Sequence, residues 1–361
     1  MKHSLIPFPV KAWLWTGLVM IFFQILIGGI TRLTGSGLSI TKWEIVTGTL
    51  PPLNRADWEE AFSLYKETPQ YQKINRGMSL GEFKWIYFWE YLHRLWARLM
   101  GFVFLLPFVF FWAKGYLYPQ LKKGLVTVFI LAGIVGAFGW IMVASGLIHR
   151  PWVNAYKLTL HLGLALVTLS YLWWVYLKTN SPASYPGLGA RQNTALIFLV
   201  LVCIQILLGG MMSGMKAALV YPTFPKMNQY WIDPILFRGD SWKWQHFMDY
   251  DSYPFLPALV QVLHRITALV LLVLFFTRMY RFFHLKLVRW VALLLVIQVT
   301  LGIITLLRSR GFIPVNLGVL HQAAAIVLLL ATLRWWFISR AGSGNLEGEQ
   351  PQGSPTRVSN K

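Results

Sequence analysis

The chain has 361 residues, of which 56% are hydrophobic, 16% aromatic and only 13% charged. So apolar a composition excludes an ordinary soluble domain and predicts a polytopic membrane protein. The formal net charge of +20 would suit a nucleic-acid partner, but the sequence has no basic soluble domain that would bind one. We therefore expect much of the basic excess to mark loops on one side of a membrane.

Eight apolar runs follow one another along the chain, each near or above the ~20 residues needed to cross ~30 Å of hydrocarbon. They lie at residues 12–30, 86–112, 124–144, 157–177, 194–215, 256–277, 288–307 and 314–338. No small-residue cleavage site follows the first run, so we expect it to be retained as a helix. The sequence thus predicts an all-α polytopic membrane protein with four helices in each half.

Basic residues in the short loops predict the orientation of these helices. One side of the membrane would receive Lys2, Lys11, Lys114, Lys122, Lys123, Lys178, Arg191, Arg278, Arg281, Lys286, Arg289 and Arg340. The positive-inside rule makes this side the cytoplasm, with both termini on it. Because no Arg- and Ser-rich transit segment precedes the first run, we expect a multi-pass protein of the bacterial inner (plasma) membrane. A processed organellar chain stays open.

The chain repeats one pattern, and each copy places two histidines inside apolar runs. The copies read Gln24-Ile-Leu-Ile-Gly-Gly29, His93-Arg94 and His161, then Gln205-Ile-Leu-Leu-Gly-Gly210, His264-Arg265 and His321. A single membrane histidine more often bonds across helices to a hydroxyl or carbonyl. Four at duplicated positions favour a site, because ionisable groups in hydrocarbon are costly. Two imidazoles on neighbouring helices can hold one planar macrocycle, so we predict two heme sites, His93 with His161 and His264 with His321.

The two copies differ beside the first histidine of each pair. Glu90 stands three residues before His93, on the same helix face, whereas Gln261 stands three residues before His264. A carboxylate inside the membrane is costly unless it is paired or protonated. This difference predicts a reactive site in the first half, with Glu90 as the catalytic candidate, and a redox or structural site in the second. The alternative is that Glu90 simply pairs with Arg94.

Basic residues near the histidines are candidates for binding heme propionates. Arg94 and Arg265 directly follow a histidine, and a guanidinium can bind a carboxylate through two parallel hydrogen bonds. Arg32 and Lys157 are further candidates, although interfacial anchoring explains Lys157 equally well. Backbone amides in the turn at residues 34–37 could also bind a propionate, or the turn could belong to a lid without ligand contact.

At this point the chain resembles a known family, the heme A synthases, over about residues 12–338. The resemblance rests on the run from Gly28 to Ser39, Thr41-Lys-Trp43, Pro51-Pro52, Glu90-x-x-His93-Arg94, His264 and His321. It implies two pseudo-symmetric four-helix bundles and oxidation of the C8 methyl of heme O to a formyl group, by successive hydroxylations. It also implies that His93 and His161 bind the substrate heme O, while His264 and His321 bind a heme b cofactor.

Cysteine content adds one detail to the resemblance. Some bacterial members of the family have a cysteine pair in the first outer loop, but Cys203 is the single cysteine of this chain. No intrachain disulfide is possible, so the chain resembles the class that lacks the pair. We expect Cys203 to be a small buried hydrophobic residue.

Domain boundaries, rival functions and partners complete the expectations. Residues 1–180 form the N-terminal half, with a long outer loop at 31–85 over its site; residues 181–340 form the C-terminal half, and 341–361 a disordered tail. The rival functions are a bis-histidine di-heme electron-transfer cytochrome of the b type and a heme transporter. Expected partners are heme O and membrane lipid, without nucleic acid. The sequence leaves open the electron donor, the source of the formyl oxygen, delivery by a heme O synthase, and oligomerisation.

Overall fold

The structure, a computed structural model, describes residues 6–42, 50–146, 151–180 and 192–344. Its helices are α1 (Phe8–Leu33), α2 (Arg55–Lys66), α3 (Pro69–Lys73), α4 (Leu80–Ala113), α5 (Pro119–Gly146), α6 (Ala155–Asn180), α7 (Gln192–Gly214), α8 (Ala217–Val220), α9 (Trp244–Met248), α10 (Phe255–Met279), α11 (Lys286–Arg308) and α12 (Val315–Gly344). Within the described residues, eight helices are long and apolar enough to cross a membrane. The predicted all-α polytopic fold and the eight spans are confirmed.

Most spanning helices are longer than the apolar runs that predicted them, because polar capping residues extend their ends. α4 begins at Leu80, ahead of the run at 86, where Ser79 and Glu82 form a reciprocal capping box. α1 ends at Leu33, and Gly35 just beyond it has φ +70°, which lets the N–H of Ser36 donate back to the carbonyl of Thr31. α12 continues to Gly344, past the boundary predicted at 340. The rest of the predicted tail lies outside the described residues.

Four inner helices form the centre of the bundle, and each carries one outer helix. α1, α6, α7 and α12 pack against one another, while α4 packs on α1, α5 on α6, α10 on α7 and α11 on α12. The same pairing therefore recurs in the first and second halves of the chain. This recurrence is compatible with two pseudo-symmetric bundles and with half-boundaries near residue 180, both of which stay predictions.

Small residues let the inner helices of the two halves approach closely. A Cβ added at Gly29 of α1 would overlap the side-chain oxygen of Gln322 on α12. A Cβ added at Gly214 of α7 would lie 2.6 Å from the Cα of Ala155 on α6. Both contacts join helices from different halves, so these glycines fix the junction between the halves.

The described parts of the two long connections, residues 34–42, 50–79 and 215–254, lie at the same end of the bundle, which we call the loop end. Arg32 at the end of α1 donates to the carbonyls of Ser213 and Gly214 at the end of α7, at 2.7 and 3.0 Å. α2 packs on the projecting start of α4 through Phe62, Tyr65 and Phe83. Burial at this contact raises the pKa of the Tyr65 hydroxyl to about 12.

The prediction for Cys203 is wrong in one respect. It lies on α7 as expected, but its side chain is exposed on the surface of the bundle. Hydropathy places a residue in a spanning helix without telling which face of that helix meets other helices. An apolar thiol on the face of a spanning helix is compatible with contact to lipid.

Candidate functional site

Each of the four membrane histidines packs on a glycine of the neighbouring helix. A Cβ added to the glycine would lie 2.9 to 3.5 Å from the imidazole Cε1 in every case. The contacts are His93 on Gly28, His161 on Gly139, His264 on Gly209, and His321 on Gly302. The first glycine of each Gly-Gly pair in the repeat therefore makes room for a histidine of its own half.

The two histidines of each half lie near each other, His93 near His161 and His264 near His321. All four imidazoles have a buried Nδ1 that makes no hydrogen bond with any residue the structure describes. Buried nitrogens of this kind are rare unless a ligand or water completes them.

Glutamines accompany three of the four histidines. Gln24 donates to the backbone carbonyl of His93 at 3.2 Å, and Gln205 donates to that of His264 at 3.0 Å. The side-chain nitrogen of Gln298 lies 3.3 Å from Nε2 of His321. Each glutamine stands four residues before the glycine on which its histidine packs. The Oε1 of each is buried without a hydrogen bond among the described residues.

The fourth histidine lacks such an amide at the equivalent position. His161 packs on Gly139, and the residue four positions before Gly139 is Val135, whose backbone lies beside the ring. Reasoning from the sequence missed both Gln298 and Val135. The signal was present, however, because Gln-x-x-x-Gly occurs in α1, α7 and α11 and becomes Val-x-x-x-Gly in α5.

Glu90 lies at the wall of the cavity, and both of its oxygens accept hydrogen bonds. Oε2 accepts from the backbone N–H and the hydroxyl of Ser39 at 2.7 and 2.8 Å, and from the N–H of Ile40 at 2.9 Å. Oε1 pairs with Arg94 at 2.6 Å. The pairing of Glu90 with Arg94 that the sequence left open is thus present, together with a loop contact that the sequence did not predict.

Gln261 occupies the equivalent position in the second half, where it faces backbone carbonyl groups, whereas Glu90 faces backbone N–H groups. Its amide nitrogen donates to the carbonyls of Ala217 and Tyr221, both at 3.3 Å, and its oxygen accepts from Arg265 at 2.9 Å. Backbone N–H groups need an acceptor and carbonyls need a donor. The polarity of each covering loop is therefore matched by the side chain beside it, a carboxylate in the first half and an amide in the second.

The two arginines next to the histidines bind the covering loops. Arg94 donates to the carbonyls of Ile40 and Lys42, and Arg265 donates to those of Thr223, Pro225 and Lys226. Arg32 binds the end of α7, as described above. These contacts occupy N–H groups that the sequence assigned to propionates, so the propionate role of all three stays a prediction.

Lys157 lies one turn before His161 on α6 and is not part of the described cavity wall. Its propionate role also stays a prediction.

In the turn at residues 34–37, the amides of Thr34, Gly35 and Ser36 all donate to carbonyls at the end of α1. These three amides cap α1, while Gly35 and Gly37 line the cavity, and the propionate role of the turn stays a prediction. Trp43, part of the sequence motif, lies outside the described residues.

All four histidines line one continuous cavity of about 1370 Å³. This volume exceeds the ~300–1,000 Å³ typical of a site for one small ligand. Segments of both long connections also line the cavity, among them Leu38 from the first connection and Trp231 from the second. Among the described residues, no cluster of three or more His, Cys, Asp or Glu could hold a bare metal ion. The arrangement suits two large planar ligands, each held by two imidazoles.

Comparison with known proteins gives a consistent result. The family model of COX15-CtaA, described as cytochrome oxidase assembly protein, matches residues 11–333. A protein of Nitrosospira multiformis is 40% identical over 90% of this chain and 92% of its own length. A protein of Flavobacterium psychrophilum is 38% identical over 90% of this chain and 96% of its own length. A third, from Methylorubrum populi, is 40% identical over 90% of this chain and 85% of its own length. All three relatives are named heme A synthase.

Proposed function

The chain belongs to the COX15-CtaA family of cytochrome oxidase assembly proteins, and we propose that it acts as a heme A synthase. It is then an oxidoreductase that converts the C8 methyl of heme O to the formyl group of heme A, for use by cytochrome oxidase. The two rival functions, an electron-transfer cytochrome and a heme transporter, find no support among the relatives. The observation that carries the proposal is the pair of histidines that each half contributes to the wall of one large cavity.

The described residues fit heme at both pairs of histidines. The imidazoles line a cavity large enough for two macrocycles, and their buried Nδ1 atoms have no protein partner. Imidazoles that bind iron commonly donate their second ring N–H to an oxygen of the protein. The side-chain amides of Gln24 and Gln298 lie 3.3 Å from Nε2 of His93 and of His321, where the amide oxygen could accept such a bond if the amide were turned over. A heme bound by His264 and His321 would supply one-electron redox chemistry.

We propose that the first half binds the substrate and the second half binds heme b. Two differences between the halves support this assignment. Glu90 borders the first site, where Gln261 borders the second. Val135 leaves His161 without a supporting amide, whereas Gln298 supports His321. The backbone of Val135 and that of Gln298 each hydrogen-bond their histidine, so only the additional side-chain amide distinguishes the two ligands. An additional amide contact suits a resident cofactor more than a heme that must enter as heme O and leave as heme A.

In this assignment, Glu90 acts beside the first site. Its carboxylate lines the cavity within one helical turn of His93. There it would accept a proton, or offset positive charge that develops as the methyl group is oxidised. The bonds from Ser39, Ile40 and Arg94 hold the carboxylate in one position and tie it to the covering loop. Those residues would act through Glu90, as positioning residues.

The distribution of basic residues supports a proposed location. The protein would lie in the inner (plasma) membrane of a bacterium with both termini in the cytoplasm. The loop end, with all four histidines near it, would then face the outer side.

Labelling of single cysteines introduced at Ser4 and Arg310, in a Cys203→Ser background, tests this orientation. Membrane-impermeant reagents applied to intact cells from outside should modify only the cysteine at 310.

Expression in a bacterial strain that makes heme O and no heme A tests the proposed function. Extraction of the membranes and mass analysis should show heme A, with hydroxylated heme O as an intermediate. A chain that binds heme but leaves heme O unchanged would instead be a cytochrome or a transporter. Heme b extracted from the purified protein, in addition to heme O or heme A, would support the assignment of the second site.

A further inference from the structure

α4 and α5 of the first half meet only over part of their length. Toward the end opposite the loops, Phe104 and Phe108 of α4 contact Phe129 of α5, with ring centroids 5.1 Å apart in both pairs. Nearer the loop end, the facing positions are Gly101 on α4, and Ala132 and Gly136 on α5. All three are exposed and also line the cavity that contains His93 and His161. A Cβ added at Gly101 or Gly136 would meet no atom within 4 Å, so a gap lined by small residues, which we call the opening, lies between these two helices beside the cavity.

The second half closes the same place with larger side chains. When His93 is aligned with His264, Gly101 corresponds to Leu272; when Gly139 is aligned with Gly302, Ala132 and Gly136 correspond to Leu295 and Val299. Leu295 is buried. Together with Gln298 and Val299 it lines a separate void of only about 30 Å³.

Burial of the whole helices shows the same difference. In the most apolar stretch of each helix, 6% of residues are buried in α5, against 22% in its counterpart α11. The corresponding values are 11% for α4 and 22% for α10. α10 and α11 also pack against each other more extensively than α4 and α5 do, so the outer helices of the first half are the more loosely packed pair.

We infer that the opening between α4 and α5 binds the isoprenoid tail of the heme substrate and admits that substrate from the lipid. The inference rests on the proposed function. Heme O differs from heme b by a long isoprenoid tail, which is as apolar as lipid and has no place in a closed heme pocket. The histidines of the same cavity, with buried Nδ1 atoms that have no partner among the described residues, would hold the macrocycle. The groove between Gly101 and Gly136 is the apolar path that leads from that position to the membrane.

The asymmetry also explains why the second site would keep a heme without a tail. Leu272 and Val299, which line the cavity, and the buried Leu295 narrow the path that the tail would take. The heme of the second site would therefore contact larger side chains at the position where the substrate of the first site has the opening beside it. Selection between the two hemes would follow from side-chain volume at three positions, not from a difference in iron ligands.

Filling the opening with the residues of the second half tests the inference. The variants are Gly101→Leu, Ala132→Leu and Gly136→Val, singly and combined, in protein purified in lipid nanodiscs with its second-site heme in place. Heme O and tail-less heme b are titrated separately into the first site, and binding is followed by the Soret absorbance. We expect the Kd for heme O to rise by about tenfold or more in the combined variant. The Kd for heme b should stay within about twofold.

Two controls keep the outcome interpretable. An added Cβ at Gly101 or Gly136 meets no atom within 4 Å, and leucine favours a helix interior over glycine. Gly101→Leu alone therefore carries the test if the combined variant fails to assemble, and unchanged second-site heme content verifies the fold. Equal weakening of both hemes, or an unchanged Kd for heme O, would overturn the inference. Absence of heme A formation by the unmodified protein would instead reject the proposed function, whatever the two Kd values are.

Discussion

The backbone N–H of Ser39 donates to Oε2 of Glu90 at 2.7 Å, and this bond joins the first long connection to the helix that carries His93. The same carboxylate accepts the hydroxyl of Ser39 and the N–H of Ile40, and pairs with Arg94. Glu90 thus has two candidate roles, chemistry at the first site and attachment of the covering loop. The two roles predict different behaviour for neighbouring variants.

Glu90→Gln and Ser39→Ala separate these roles. If Glu90 handles a proton or offsets charge, Glu90→Gln should slow heme A formation by ~10²–10⁴-fold, the usual effect of losing an acid–base group. Heme O or a hydroxylated intermediate should accumulate. Ser39→Ala removes one hydroxyl donor to a carboxylate, worth ~1.5–3 kcal/mol, but keeps the backbone donors and Arg94, and should retain most of the turnover. Parallel loss of turnover and of thermal stability in both variants would show that Glu90 serves only the loop.

Replacement of individual histidines should affect the two sites separately. His264→Ala or His321→Ala should lower the heme b content of purified protein and remove a low-spin absorption spectrum, because iron would lose an axial ligand. His93→Ala or His161→Ala should abolish heme A formation and keep the second-site heme.

His246→Ala is the matched control for these variants. This histidine lies in the second long connection, where it stacks on Tyr253 with ring centroids 3.9 Å apart. Both heme b content and heme A formation should survive its replacement. A low-spin spectrum that persists in both His264→Ala and His321→Ala would show that the resident heme has been assigned to the wrong half.

Replacing Gln298 with Val, and Val135 with Gln, tests whether a side-chain amide beside the histidine distinguishes a cofactor site from a substrate site. Gln298→Val should weaken retention of the second-site heme by ~10–100-fold, the usual effect of losing an outer-shell partner of a metal ligand. Val135→Gln should slow dissociation of heme from the first site. Both effects are measured as heme transfer to excess apomyoglobin. Val135→Leu controls for side-chain volume, and equal transfer rates in all variants would reject a role for the amides.

The sequence predicted those features that depend on one segment at a time. Eight spans follow from local hydropathy, and four histidines stand out because ionisable residues are costly in hydrocarbon. It could not predict which helix faces which, so the support of His321 by Gln298 was missed and Cys203 was expected to be buried. The contact of Ser39 with Glu90 joins residues 51 positions apart. No local pattern specifies such a contact.

The roles of the Gly-Gly pairs of the repeat also depend on contacts between helices. The sequence shows that the pair is duplicated, but only the structure shows which helix each glycine contacts. Gly28 makes room for His93 of the same half, whereas Gly29 makes room for Gln322 of the other half. Two adjacent glycines therefore face two different helices, since successive residues on a helix point about 100° apart.

Replacement of two glycines on α5 tests the packing of His161 directly. A Cβ at Gly139 would lie 2.9 Å from Cε1 of His161, closer than unstrained atoms approach, whereas a Cβ at Gly136 meets no atom within 4 Å. Gly139→Ala should therefore displace the imidazole and raise the Kd of the first site for both heme O and heme b. A displacement that costs ~1.4 kcal/mol corresponds to tenfold in Kd. Soret titrations provide the measurement.

Gly136→Ala is the matched control, one turn away on the same helix. It adds the same methyl group without contact, and alanine is too small to fill the opening between α4 and α5. Both Kd values should stay unchanged, and the protein should become slightly more stable to thermal unfolding, because alanine favours a helix interior. If Gly139→Ala binds both hemes as tightly as the unmodified protein, His161 does not hold the macrocycle from its position on Gly139, and the ligand assignment of the first site is wrong.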